Sequence, residues 1–219
     1  MQDHKTRGQL REIIRRLFRM PLACFGFAII FIVILCAIFA PQLAPHDPDV
    51  QHTGHYLESP SSMFPLGTDQ LGRDVLSRII YGSRVVLIVS VGAVALGTIV
   101  GTPIGLTSAY LGGWVDEVLM RVMDAIVSFP SLIIAIALLA VLGSSLTNVI
   151  IAIGVANVPW IARVVRSLAL SLRAQAFVIA AHSIGATDLR VILRHLLPNC
   201  IAPVIVPVSY THLTLPTKA

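Results

Sequence analysis

The sequence predicts an all-α protein that crosses a membrane several times, and three observations support this fold class. Of the 219 residues, 56% are hydrophobic and only 12% are charged, about half the charged fraction of an ordinary soluble domain. The mean hydropathy is +0.84. Three uncharged stretches are each long enough to cross a bilayer. This composition excludes a disordered chain, a coiled coil, a collagen and a disulfide-stapled secreted domain.

The first membrane span is predicted over residues 21–40, directly after a basic head. Six of the 16 Lys and Arg residues precede residue 20. The uncharged run is too long for a signal peptide and ends in a proline-rich segment, so we expect it to be retained in the membrane. Residues 1–83 then comprise the basic head, the first span and an outer loop with an interfacial helix.

Three further spans are predicted in the remaining uncharged stretches, over residues 85–109, 122–142 and 146–163. Tyr110–Trp114 marks a loop after the second span, and Gly143 with two serines separates the last two spans. Each of these three spans contains one proline, at which we expect a kink; these are Pro103, Pro130 and Pro159.

The basic residues predict which side of the membrane each segment faces. The head, the 110–121 loop and residues 163–198 carry 12 of the 16 basic residues. Because basic residues are enriched in cytoplasmic segments, we expect a cytoplasmic amino terminus and a 41–84 loop that faces outward.

Small residues predict close helix packing in the second span. Gly97, Gly101 and Gly105 repeat every fourth residue, so they lie on one helix face and allow another backbone to approach. A loosely packed helix is the alternative.

The segment between Arg163 and Pro198 is amphipathic and too polar to span. We predict a helix ended by Gly185 in a left-handed turn, and a second helix capped by Thr187, favoured by Asp188 in its first turn and stopped by Pro198. The result is an elbow on the cytoplasmic side.

Three groups of polar residues suggest local roles. Asp69, Arg73 and Asp74 stand at helical spacing beside an apolar stripe, which favours an interfacial helix over a gate or docking site. Arg121 and Asp124 are expected to pair on one helix face and anchor the third span. A further cluster in the outer loop fits no compact metal motif, so we expect it to face water; it contains His46, Asp47, Asp49, His52 and His55.

The elbow resembles the coupling loop of bacterial ATP-binding-cassette (ABC) importer permeases. The family pattern of Glu-Ala-Ala, Gly and Leu-Pro is matched by Ala180, Ala181 and Gly185, and by Leu197-Pro198. Ile179 replaces the acid, and His195 replaces an aliphatic residue. By this resemblance the elbow couples the permease to an ATPase. The coupling set expected here is Ala180, Ala181, Gly185, Asp188, Arg190, Leu197 and Pro198.

Other motifs are similar to the C-type permeases of dipeptide, oligopeptide and nickel importers. The stretch from Pro65 to Arg78 matches their signature, and the basic head followed by a single span matches their amino terminus. The signature residues are Gly67, Thr68, Asp69, Gly72, Arg73 and Asp74. The resemblance implies the fold of the methionine-importer permease, with residues 84–209 as its core and six spans in an intact protein.

The resemblance also implies the function and the partners. We expect a non-enzymatic permease subunit of the bacterial inner membrane that moves di- or oligopeptides by alternating access. It would pair with a second permease, two ATPases that use ATP and Mg, and an outer solute-binding protein. The chain itself is expected to hold no cofactor, metal or nucleic acid.

Two other functional readings stay open at this point. A nickel or other chelate importer of the same family is the nearer alternative. An ion-driven secondary transporter is the other, although the four predicted spans have no ionisable residue near their middle.

The carboxyl-terminal residues depart from the family pattern. The apolar run over residues 200–209 is too short to cross a bilayer. We expect a fifth span cut about halfway, followed by a non-native tail over residues 210–219.

Overall fold

A computed structural model describes residues 21–200 of the chain, and helices dominate this part. The predicted half-span over residues 200–209 and the predicted tail therefore lie almost entirely outside the described residues, as does the basic head. The helices are α1 (Pro21–Ile38), α2 (Ala40–Leu43), α3 (Val75–Leu111), α4 (Gly113–Val127), α5 (Ser131–Leu142), α6 (Leu146–Arg173), α7 (Ala176–Ser183) and α8 (Asp188–Val191), and α8 continues into a π-helical turn (Ile192–Leu196). The chain divides into two compact units, and the boundary along the sequence lies between Ile88 and Val89.

In the first unit, an arginine closes the end of the first span. The Arg84 side chain donates to the carbonyl of Ala37 and, at 3.1 Å, to that of Ile38. These carbonyls belong to the last turn of α1, which has no continuing helix to satisfy them. An arginine at this position also interacts favourably with the negative end of the helix dipole.

In the second unit, α3 and α6 pack closely along a line of glycines. A Cβ atom added to Gly101 would lie 2.9 Å from the carbonyl oxygen of Val158, and one added to Gly105 would lie 2.4 Å from that of Ala162. Gly97 similarly faces Gly154 and Asn157. Residues later in α3 contact residues later in α6, so the two helices run parallel. The structure thus shows the close helix approach, and not the loosely packed alternative.

Because α3 and α6 are parallel, the chain must return across the membrane between them. The return consists of α4 and α5, which are bent by 85° at a short break. α5 has only 12 residues, about 18 Å of helix, so it is too short to cross alone. Three described helices are long and apolar enough to span, or four if the bent pair is counted as one span.

The helices depart from the predicted spans in two places. The expected loop over residues 110–121 is almost absent, because α4 starts at Gly113 and only the left-handed Gly112 (φ 65°) interrupts the helices. Pro103 and Pro159 lie inside continuous helices. Pro130 lies at the break and precedes the first residue of α5.

The predicted pair of Arg121 and Asp124 is wrong. Arg121 instead lies 3.8 Å from Glu117, one turn earlier, while Asp124 accepts from Arg163 of α6 at 2.7 Å. An arginine on a neighbouring helix approaches Asp124 closely, and it outcompetes the local partner. Asp124 therefore joins two helices.

Candidate functional site

The elbow is built around a left-handed glycine. Gly185 has φ +82°, and after α7 the amide of Ala186 donates to the carbonyl of Ala181 at 3.0 Å. This bond closes the six-residue ring that ends many helices at a glycine. A Cβ atom at Gly185 would meet nothing within 4 Å. Backbone conformation, and not space, therefore favours glycine here.

The elbow has two arms: α7 is the first, and α8 with its π-helical turn is the second. The second arm begins and ends differently from the prediction. Thr187 has the extended backbone of a capping residue, but its side chain makes no capping hydrogen bond. Pro198 does not stop the helix, because residues 197–200 remain helical after the π turn. In that turn the amide of Leu197 donates to Ile192, five residues back. Such a wide turn accommodates a proline ring, which removes one donor and crowds the preceding turn.

One face of the elbow is buried against the ends of α3 and α6. Val178, Ala181, Val191 and Leu196 are buried in one apolar cluster. The same cluster contains residues from the last turns of the two long helices, and these are Leu106, Ala109, Tyr110, Ile161, Val165 and Ala169. Burial of this apolar surface ties the elbow to both helices.

The tip and outer face of the elbow are apolar and exposed. Ile184 is 86% exposed, and Leu189 and Ile179 are also exposed. Between the two arms lies an open cleft of about 530 Å³, whose lining includes Ala180, Ala181, Arg190, Arg194 and His195. The elbow therefore combines exposed aliphatic side chains with positive charge, a composition suited to a protein partner.

Polar contacts fix the elbow to the long helices. Tyr110, near the end of α3, donates to Asp188 at 2.5 Å. The guanidinium of Arg173 lies 5.7 Å from the centre of the Tyr110 ring, and it donates to the carbonyl of Ala109 at 3.2 Å. The sequence did not indicate Tyr110 or Arg173, because their partners are distant along the chain.

A second polar connection joins three helices beside the elbow. Arg166 of α6 binds both carboxylate oxygens of Asp116 in α4, at 2.6 and 2.5 Å. Ser108 of α3 donates to the same carboxylate. The two parallel hydrogen bonds of this pair fix its geometry, which a single contact would not. The ends of α3, α4 and α6 are therefore held together.

In the predicted outer loop, the signature residues form a turn instead of the predicted helix. Thr68 and Asp74 are bridged as in an antiparallel ladder, and the chain reverses between them. Gly67 and Gly72 have φ +76° and +72°, and a Cβ atom on either would lie within 2.5 Å of a carbonyl oxygen. Both glycines are therefore required by the turn. The helix starts only at Val75.

Asp69 organises this turn. One carboxylate oxygen accepts from the amides of Leu71 and Arg73 at 2.8 and 3.0 Å. The other accepts from the side chains of Arg73 and Arg78 at 2.9 and 2.6 Å. These contacts, led by the backbone hydrogen bond from Arg73, lower the pKa of Asp69 to about 2. An aspartate that bonds its own backbone favours a turn over a helix.

Asp74 caps the long helix α3. It is fully buried, and its carboxylate accepts from the amide and the hydroxyl of Ser77 at 3.1 and 2.6 Å. Burial opposes ionisation of Asp74, but the Ser77 hydrogen bonds outweigh it, so the pKa of Asp74 is lowered. The bond from the Ser77 amide satisfies one of the donors that the first helical turn leaves free.

The predicted exposure of the loop cluster is right for its aspartates and wrong in part for its histidines. Asp47 and Asp49 are exposed, whereas the three histidines are half-buried. The rings of His46, His52 and His55 lie 5.2, 5.2 and 5.5 Å from that of Phe64, which is fully buried. Among residues 21–200, no three His, Cys, Asp or Glu side chains are placed to hold a metal. The histidines thus form a small aromatic core for the loop.

Residues 101–215 match the inner membrane component of binding-protein-dependent transport systems. Residues 8–60 match the N-terminal transmembrane domain of oligopeptide transport permease C. The first match extends into the segment 210–219, where a non-native tail was predicted; that boundary stays a prediction.

Individual relatives agree with these family matches. A dipeptide transport system permease of Alkalihalophilus pseudofirmus is 43% identical over 196 residues, which are 90% of this chain and 64% of the relative. A glutathione transport system permease of Pectobacterium atrosepticum is 35% identical over 94% of this chain and 69% of the relative. One from Shigella dysenteriae is 39% identical over 94% and 68%. The chain thus spans about two thirds of the length of these permeases.

Proposed function

Because this chain belongs to the inner-membrane permeases of binding-protein-dependent transport systems, we propose that it is the C-type subunit of an ATP-driven importer that moves peptides. It is a multi-pass, all-α membrane protein whose curated relatives are permeases and not enzymes. Peptides are favoured as cargo because a dipeptide permease and glutathione permeases, whose cargo is also a peptide, are among its relatives.

The proposed partners are a second permease, two cytoplasmic ATPases that bind ATP and Mg, and an outer solute-binding protein. The observation that carries this proposal is the elbow, with its exposed aliphatic tip and anchored inner face. An ATPase that closes around ATP would push on the tip, and the buried face would pass the movement to α3 and α6. Alternating access then follows from reorientation of these helices.

The proposed orientation places the amino terminus and the elbow in the cytoplasm. The excess of basic residues in both segments supports it. The parallel packing of α3 and α6 supports it as well, since it puts their carboxyl ends on one side. The outer loop, which precedes α3, then faces the solute-binding protein.

The proposed coupling role is tested by Gly185→Asp in the assembled transporter. Asp introduces a charge and a side chain at a left-handed position on the exposed elbow. We expect ATP hydrolysis to continue while peptide uptake falls at least tenfold, because the elbow no longer seats correctly on its ATPase. Uptake and hydrolysis are measured together in proteoliposomes.

Gly143→Asp is the matched control. Gly143 also has a positive φ, +87°, and open space around its Cβ position, but it lies between α5 and α6, away from the elbow. We expect near-normal uptake from this variant. Normal uptake by Gly185→Asp, with both variants inserted at equal levels, would contradict the coupling role of the elbow.

A further inference from the structure

Tyr110 occupies the point at which the elbow and the two parallel helices meet. It is the penultimate residue of α3 and is only 8% exposed. Its hydroxyl donates to Asp188, the first residue of α8, and its ring faces the guanidinium of Arg173, the last residue of α6. Tyr110 therefore connects its own helix, α3, to both α8 and α6.

Apolar burial and a hydrogen bond both attach the elbow to the helices. The first arm, α7, is held by apolar burial of Val178 and Ala181. The second arm is held by apolar burial of Val191 and, in addition, by the directional hydrogen bond from Tyr110 to Asp188. Apolar contacts allow sliding because they have no direction, whereas a hydrogen bond to a charged acceptor weakens steeply when its geometry is lost.

We propose that Tyr110 is a positioning residue that transmits displacement of the elbow to α3. Its hydroxyl holds the start of the second arm, so a push on the exposed tip at Ile184 moves the end of α3 together with the arm. Arg173 supports this arrangement by holding the Tyr110 ring and the carbonyl of Ala109. The inference rests on the proposed function, since it specifies how the elbow acts within that transporter.

The chemistry of the contact makes Tyr110→Phe a sharp test. The substitution removes only the hydroxyl and keeps the buried ring, and Asp188 remains solvated because it is exposed. Loss of a hydrogen bond to a charged acceptor changes an equilibrium by about tenfold. We therefore expect the number of peptides taken up per ATP hydrolysed to fall about three- to tenfold, with insertion and assembly unchanged.

Four further variants separate transmission from a merely structural role. Asp188→Ala should reproduce the loss, and the double variant Tyr110→Phe with Asp188→Ala should be no worse than either single one. Asp188→Asn keeps an oxygen acceptor and should retain most coupling. Tyr81→Phe, which removes the same hydroxyl near the other end of α3, should leave coupling unchanged.

The readout is peptide uptake and ATP hydrolysis by the assembled transporter in proteoliposomes. If wild-type protein takes up peptide and Tyr110→Phe retains the wild-type ratio, the inference is wrong while the proposed function stands. Additive losses in the double variant would also overturn it. If wild-type protein shows no ATP-dependent uptake, the proposed function itself fails.

Discussion

At the scale of single residues, a few carboxylates determine the local structure. Asp69 closes the outer turn, Asp74 caps α3, Asp116 and Asp124 join helices, and Asp188 receives the Tyr110 hydroxyl. In a chain with so few charged residues, each carboxylate among these has a specific partner. Asp116 and Asp124 are paired with arginines of α6, which offsets the cost of a charge near the hydrocarbon.

The turn around Asp69 has a predictable pH dependence. Its folded-state pKa of about 2 lies below the ordinary value of 3.8, so the ionised form stabilises the turn. This contribution is fully present above pH 4 and is lost as the pH falls toward 2. We expect hydrogen-exchange protection of the Leu71 and Arg73 amides to decrease over that interval.

Asp69→Asn is the control for this prediction. Asn keeps an oxygen that accepts from the two amides but does not ionise in this range. Protection in this variant should be lower than in the wild type at pH 5 and nearly constant down to pH 2. Identical pH profiles in the two proteins would show that ionisation of Asp69 does not hold the turn.

At the scale of elements, the packing of α3 on α6 depends on glycines, because these residues have no side chain. A Cβ atom on Gly105 would be 2.4 Å from a backbone oxygen and 2.9 Å from the Cβ of Val165. The backbone cannot yield locally, so Gly105→Ala must separate the helices. We expect this variant to lose about 1–3 kcal/mol of stability, seen as a lower melting temperature in detergent.

The same substitution elsewhere in α3 should have the opposite effect. Gly82 has nothing within 4 Å of a Cβ position, and alanine favours a helix over glycine by about 0.5–1 kcal/mol. Gly82→Ala should therefore melt at the wild-type temperature or slightly above it. Equal melting temperatures for the two variants would contradict close packing at Gly105.

Some features of the helices are set by short segments of sequence, and others depend on residues far apart in the chain. The first, second and fourth spans, the glycine stripe and the left-handed Gly185 follow from hydropathy, spacing and backbone preference, which are properties of short segments. The third predicted span is instead two helices with a break between them. The Asp69 turn was predicted as a helix because spacing alone cannot show that a carboxylate bonds its own backbone. The Tyr110–Asp188 contact joins residues 78 positions apart, so no local pattern reports it.

At the scale of the whole molecule, the described helices fit a lever that works across a membrane. α3 has 37 residues, about 55 Å of helix, so it extends beyond the ~30 Å hydrocarbon core. Its end meets the elbow at Tyr110, and its part from Gly92 to Gly105 is packed parallel to α6. Movement at the elbow is thus connected to two membrane-crossing helices, as the proposed alternating access requires.

Uptake of a labelled dipeptide into proteoliposomes that contain the assembled transporter tests whether the protein is an ATP-driven peptide importer. We expect accumulation only when ATP is on the side of the elbow and the peptide and its binding protein are on the side of the outer loop. Glutathione and a nickel chelate are offered in parallel to define the cargo. Peptide accumulation driven by an ion gradient without ATP would contradict ATP-driven import. Transport of the chelate but of neither peptide would contradict peptides as the cargo.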